Sequence, residues 1–181
     1  MEPNKLTALA EAEGFTAAVL PADQVPVKGD FRRFCEENRC GQYGANYSCP
    51  PTCGTVADME ARIRRGETAL VVTSQRPIDG YQDTAAIAAG KRDHNAAMMR
   101  LRAALNREGC DVTMLGGSCC NLCTPCRMGE NLPCPHPEQQ FSCVSAYCVD
   151  VAELARRCGL EFTWDKKKLT LYDVLILRPA A

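Results

Sequence analysis

The chain has 181 residues, 46% of them hydrophobic, and a formal net charge of −1 at pH 7. That is enough apolar content to bury one core without covalent staples, and too little net charge to draw the protein towards nucleic acid or anionic lipid. No run approaches the roughly 18 uninterrupted apolar residues of a membrane span. The 13 cysteines, by contrast, exceed what a chain of this size uses as small core hydrophobes. Their count is odd, Cys119 and Cys120 are adjacent, and the opening residues MEPNKLTALAEAEG carry charges where a secretory signal carries an apolar run. Reduced thiols in the cytoplasm are therefore expected, not a disulfide scaffold.

Four times a helical pattern closes on a glycine and passes at once into an apolar, β-prone run. The first helix is expected over Lys5–Glu13, ending at Gly14, with a strand over Phe15–Leu20. A second opens on Thr55 with Asp58 in the capping-box position, stops at Gly66, and feeds the strand Thr68–Thr73. The third and longest spans about Gly80–Glu108, with Ile87, His94, Met98, Leu101 and Leu105 on one stripe; Gly109 ends it and Cys110–Leu115 is the strand. The fourth opens on Asp150, with Glu153 three residues on, and closes at Gly159. Two runs follow, Leu160–Trp164 and Leu169–Leu177, that read as an antiparallel hairpin. The expected fold is a single α/β domain over 1–181, with a mixed sheet of four or five strands, flanking helices and two cysteine-rich strand-to-helix loops.

Those loops, Pro21–Gly54 and Gly116–Val149, are each 34 residues long. The equal lengths and repeated element order hint at pseudo-duplicate halves, 1–76 and 77–181. If the strands that precede them are parallel, both loops emerge at one edge of the sheet, the carboxyl edge where open α/β sheets bind ligands. Loops of this length need something internal to hold them, and a metal centre would do so.

The second loop reads GGSCCNLCTPCRMGENLPC. Cys120, Cys123 and Cys126 stand three apart, and Cys134 follows after seven residues and leads into a proline. Three thiolates at that spacing, with a fourth from further on, match a polynuclear iron–sulfur centre. A structural zinc site would show two separated C-x2-C knuckles, and zinc is the alternative metal. In the first loop Cys35, Cys40, Cys49 and Cys53 fall within nineteen residues, with two prolines after Cys49, and form a second four-thiolate set. Cys110 and Cys158 read as small buried hydrophobes, and Cys119, Cys143 and Cys148 stand between packing and chemistry. His94, on the buried stripe, reads as a core histidine, whereas His136 lies beside the second set. Arg32, Arg33, Arg39 and Arg127 flank the cysteines and would offset thiolate charge, and Tyr43 and Tyr47 would shield the first site from water.

The combination of CEENRCGQYGANYSCPPTCG, GGSCCNLCTPC, LPCPHPE and SAYCVDVAELARRCGL, spread over Phe31–Leu177, resembles the cysteine-rich family designated domain of unknown function 2284, whose members are described as predicted metal-binding proteins. The resemblance implies metal binding. It carries over onto Cys35, Cys40 and Cys49 in the first loop and Cys120, Cys123, Cys126 and Cys134 in the second, whereas Cys119, Cys143 and Cys148 depart from the family pattern.

There is no phosphate-binding glycine loop, nucleophile elbow or paired-histidine zinc motif. The leading expectation is an iron–sulfur protein with two [4Fe–4S]-type centres that passes electrons to a redox partner. The alternatives are a cluster-dependent enzyme, working by reductive activation or sulfur transfer on a small molecule, and a zinc-bound interaction module. A homodimer is compatible with each.

Overall fold

The longest apolar run in the last third of the chain, Leu169–Leu177, becomes the middle of the sheet. In the computed structural model, which describes residues 1–179, it lies within strand β5 (Lys168–Pro179). β2 (Thr68–Pro77) pairs with one edge of β5 and β3 (Cys110–Gly116) with the other, both antiparallel. β1 (Thr16–Pro21) extends the sheet beyond β2, antiparallel to it. The two-residue β4 (Ser142–Cys143) runs parallel to the end of β3. The five-stranded mixed sheet thus has the order β1-β2-β5-β3-β4. A strand buried on both faces reads as a continuous apolar run, and β5 has seven consecutive buried residues, Leu171–Leu177.

Helices cover both faces. α1 (Pro3–Ala12) and α4 (Thr84–Arg107) pack on one, where Leu6, Met98, Leu101 and Leu105 meet Leu70, Val72 and Leu175. α3 (Val56–Arg64) and α5 (Val151–Cys158) cover the other, where Met59, Ile63 and Leu154 meet Val71, Val174 and Ile176. Neighbours in β2 and β5 therefore alternate between two cores, as the period of a strand requires. Short α2 (Arg32–Glu36), inside the first loop, had no sequence signal. No helix among the described residues is long and apolar enough to cross a membrane.

Local signals at the helix starts have the expected chemistry. Thr55 and Asp58 form a reciprocal capping box, and Asp150 accepts from the amide of Glu153 (3.1 Å). Gly66 is needed for a different reason than a helix cap: a Cβ there would sit 2.1 Å from Cγ2 of Ile176.

Two expectations fail. Leu160–Trp164 is not a strand and makes no hairpin with β5, because β2 and β3 already occupy both edges of β5. It crosses the α3/α5 face instead: the hydroxyl of Tyr172 donates to the carbonyl of Glu161, and Phe162 packs on Tyr172 at 5.9 Å between ring centroids. The polarity of the loops is also corrected. β1 and β3 are each separated from β5 by antiparallel steps of different number, so they run in opposite directions and their loops leave opposite ends of the sheet.

The loops nevertheless meet. A six-residue strand is about 20 Å long, and the segment from Pro21 to Arg32 is long enough to cross back. It passes under the last turn of α3, where Arg64 donates to the carbonyls of Ala22, Asp23 and Val25 (2.8–3.2 Å). It then pairs with the end of the second loop. Val27 bridges Val149, the amide of Asp150 donates to Pro26 (2.9 Å), and that of Lys28 to Cys148 (2.8 Å).

Candidate metal centre

The second loop leaves β3 through Gly116 and Gly117, and both must be glycine for steric reasons. A Cβ on Gly116 would lie 2.8 Å from the ring of Phe141, and one on Gly117 would lie 2.7 Å from Oδ1 of Asp173. Asp173, fully buried in mid-β5, accepts the amide of Gly117 on that same oxygen (2.6 Å). The same Oδ1 bonds Nε2 of His94 (2.6 Å), and Nδ1 of His94 bonds Oγ of Ser74 (2.6 Å). Burial pushes the carboxyl of Asp173 up, against the stabilising pull of His94 and Gly117. His94 is thus the core histidine expected, with Phe15 edge-on to its ring at 5.3 Å.

Beyond the glycines, residues from elsewhere hold the backbone around Cys120. Asn95 of α4 donates to Oδ1 of Asn121 (2.8 Å) and to Oγ of Ser118 (3.3 Å). From the first loop, Nδ2 of Asn46 donates to the carbonyl of Cys120 (3.1 Å), and the amide of Cys120 donates to Oγ of Ser48 (3.1 Å). The Ser48 hydroxyl in turn donates to Oδ1 of Asn46 (2.9 Å). Tyr47 sits between them; its hydroxyl donates to Leu132 (2.8 Å) and its carbonyl accepts from Gln140 (3.0 Å). The tripeptide Asn46–Ser48 therefore plugs into the second loop, and Tyr47 covers the second cysteine set instead of the first.

Cys120, Cys123, Cys126 and Cys134 line one small cavity, closed by Tyr47, Leu122, Pro135 and His136. The four residues grouped by spacing in the sequence are thus brought together in space, with His136 and Arg127 at their margin. Burial pushes the Cys120 thiol up, partly offset by hydrogen bonds from the backbone of Leu122 and Phe141. No three His, Cys, Asp or Glu side chains among the described residues converge on a single-ion position. As a donor set, four thiols fit either an iron–sulfur centre or a thiolate-bound zinc.

The first loop's four cysteines divide. Cys49 is buried, and its thiol is pushed up chiefly by its hydrogen bond to Cys119. Cys119 is lowered to about 7, first by that bond and then by the charge of Lys91. Cys143, near both, is pushed up to about 12 by burial. Cys35 and Cys53 gather around Arg32, and Cys35 also lies within electrostatic reach of Cys143. Burial raises both thiols and the Arg32 charge opposes it. Nη1 of Arg32 donates to Sγ of Cys53 (4.0 Å) and to the carbonyl of Gly54 (3.3 Å), and Nη2 to that of Ala146 (3.0 Å). Cys40 is exposed. Of the other flanking arginines, Arg39 pairs with Glu37 (3.0 Å) and Arg33 lies over the ring of Phe34 (5.1 Å).

A second, larger cavity of about 590 Å³ opens beside the second set. Cys119, Cys120, Cys123 and Cys126 form one side of it and Lys91 and Arg92 of α4 another.

Asn46, Ser48, Asn95 and Asp173 were missed from the sequence. A lone aspartate in an otherwise apolar strand was the one available signal, since a buried carboxylate demands partners. Nothing in the local sequence marks the other three.

No curated protein and no solved structure matches the chain. The model of domain of unknown function 2284, described as a predicted metal-binding protein, matches residues 18–177, which contain every cysteine and both loops. The chain therefore belongs to this family of predicted metal-binding proteins.

Proposed function

We propose that this protein is an iron–sulfur redox protein with two [4Fe–4S]-type centres, one held by Cys120, Cys123, Cys126 and Cys134 and one by thiols of the first loop, acting in the cytoplasm with a redox partner protein. The observation that carries the reading is the cavity walled by those four cysteines. Its donors are thiolates, the ligands of iron–sulfur clusters, and its cover of Tyr47, Leu122 and Pro135 limits water. Such a centre supplies one-electron transfer. The chain's own residues contribute a rigid seat: Asp173 holds Gly117, Asn46 and Ser48 hold both backbone groups of Cys120, and Arg127 and Lys91 offset anionic charge.

Anaerobic purification with iron, sulfide and zinc analysis, plus electron paramagnetic resonance of the dithionite-reduced protein, tests this. The expected preparation is brown, with iron and acid-labile sulfide in equal amounts and a reduced-cluster signal. A colourless protein with stoichiometric zinc sinks the proposal and favours an interaction module.

The larger cavity favours a second reading, a cluster-dependent enzyme acting on a small anion bound by Lys91 and Arg92 beside Cys119. Adding phosphate or succinate to the reduced protein separates the two. An altered resonance signal supports catalysis at the cluster, and an unchanged one supports electron transfer alone.

A further inference from the structure

We infer that the first metal centre is bipartite, with Cys35, Cys40 and Cys53 of the first loop completed by Cys148 of the second, and Cys49 left outside it. This rests on the reading above that first-loop thiols hold metal, and it changes the ligand set.

Cys148 is brought there by backbone pairing. The Val27–Val149 bridge and the bond from the Lys28 amide to the carbonyl of Cys148 (2.8 Å) fix it beside the segment that runs into α2, which carries Cys35. Cys35 lies within electrostatic reach of Cys148, Cys40 and Cys53. The guanidinium of Arg32 joins the group: it is anchored on the carbonyls of Gly54 and Ala146, donates to Cys53 and lies within electrostatic reach of Cys148. One fixed cation facing thiols from both loops is the counter-charge that a thiolate-rich centre calls for.

One feature of Cys148 lacks a packing explanation. Its side chain is fully buried, as free cysteines often are, but its φ is +55°. Among the described residues the other non-glycine positions with positive φ are Asn38 and Asn131, and asparagine adopts that region more readily than cysteine. A buried cysteine held there is explained by a requirement for its sulfur. Cys49 has different neighbours, the hydroxyl of Ser48 (3.9 Å) and the thiols of Cys119 and Cys143.

The test is iron and sulfide per chain in anaerobically prepared variants, with circular dichroism to confirm folding. Cys148→Gly removes the thiol and suits the backbone, so it separates loss of a ligand from failure to fold. The expected result is that Cys148→Gly, Cys35→Ser and Cys53→Ser each lose about half the iron while Cys49→Ala keeps it all. If Cys35→Ser and Cys53→Ser lose iron but Cys148→Gly does not, or if Cys49→Ala loses as much, the bipartite assignment is overturned and the first-loop centre survives. If none of the four changes the iron content, the first-loop centre itself is absent and both readings fall.

Discussion

Asp173→Ala probes the join between the sheet and the second loop most directly. The substitution removes the acceptor of two donors, the half-buried amide of Gly117 and the buried Nε2 of His94. A buried donor left without a partner costs about 1–3 kcal/mol and the half-buried amide less, so the two together come to roughly 2–5 kcal/mol. Against this, the mutation relieves a desolvated carboxylate whose Oδ2 has no partner. The expected net destabilisation is about 2–4 kcal/mol, a large share of the roughly 5–15 kcal/mol that holds a domain folded. Urea unfolding of the reduced, metal-free chain reads this as a lower midpoint, and amide exchange at Gly117–Cys120 should accelerate more than exchange in β2. Asp173→Asn keeps a carbonyl oxygen for Gly117 and should recover part of the loss. A shift within about 0.5 kcal/mol of wild type, the range of an ordinary surface substitution, with unchanged exchange at Gly117, would refute the idea that this carboxylate seats the loop.

Ser48→Ala leaves the amide of Cys120 without its acceptor; it should cost about 1–2 kcal/mol and speed release of iron to a chelator, measured by loss of visible absorption. Cys110→Ala and Cys158→Ala, by contrast, should keep full iron and sulfide content, since these residues pack at the edges of the two cores. The carboxyl of Asp150 is held below the usual carboxylate range chiefly by Lys28, 2.6 Å away. Because the unfolded state binds the proton more readily, this contribution is present above the unfolded value of about 4 and is lost as pH falls through the folded value. Asp150→Asn keeps a helix cap but should flatten that acid limb in pH-dependent denaturation. The Lys28 end is more than half exposed, so the effect should stay under about 1 kcal/mol.

What the sequence made legible was local. Thr55 with Asp58 and Asp150 with Glu153 announce helix starts within four residues, and Cys120, Cys123, Cys126 and Cys134 lie close enough that spacing alone groups them. What it hid was relational. Apolar alternation says that a strand exists but not its direction, so the parallel arrangement assumed for β1 and β3 had no local check. Leu160–Trp164 has strand-like composition, yet β5 had no free edge to offer it. Cys49 stands among first-loop cysteines in the sequence, and only the return of that loop across the sheet sets it beside Cys119 and Cys143. Arg32 looked like one of four equivalent flanking arginines, and the same return sets it against Cys53.

The position of β5 also bears on the order in which the protein assembles. The strand that pairs with both β2 and β3 is the last of the five to be synthesised, and it carries the aspartate that receives Gly117. Until it leaves the ribosome, β2 and β3 each lack a partner along one edge, and the second cysteine loop has no anchor at its root. Metal delivered to the nascent chain would meet the second loop's thiols before that loop is seated. On the reading proposed above, insertion into the second loop should therefore follow closure of the sheet, and a chain stalled before Lys168 should emerge with that loop translated and unable to hold metal.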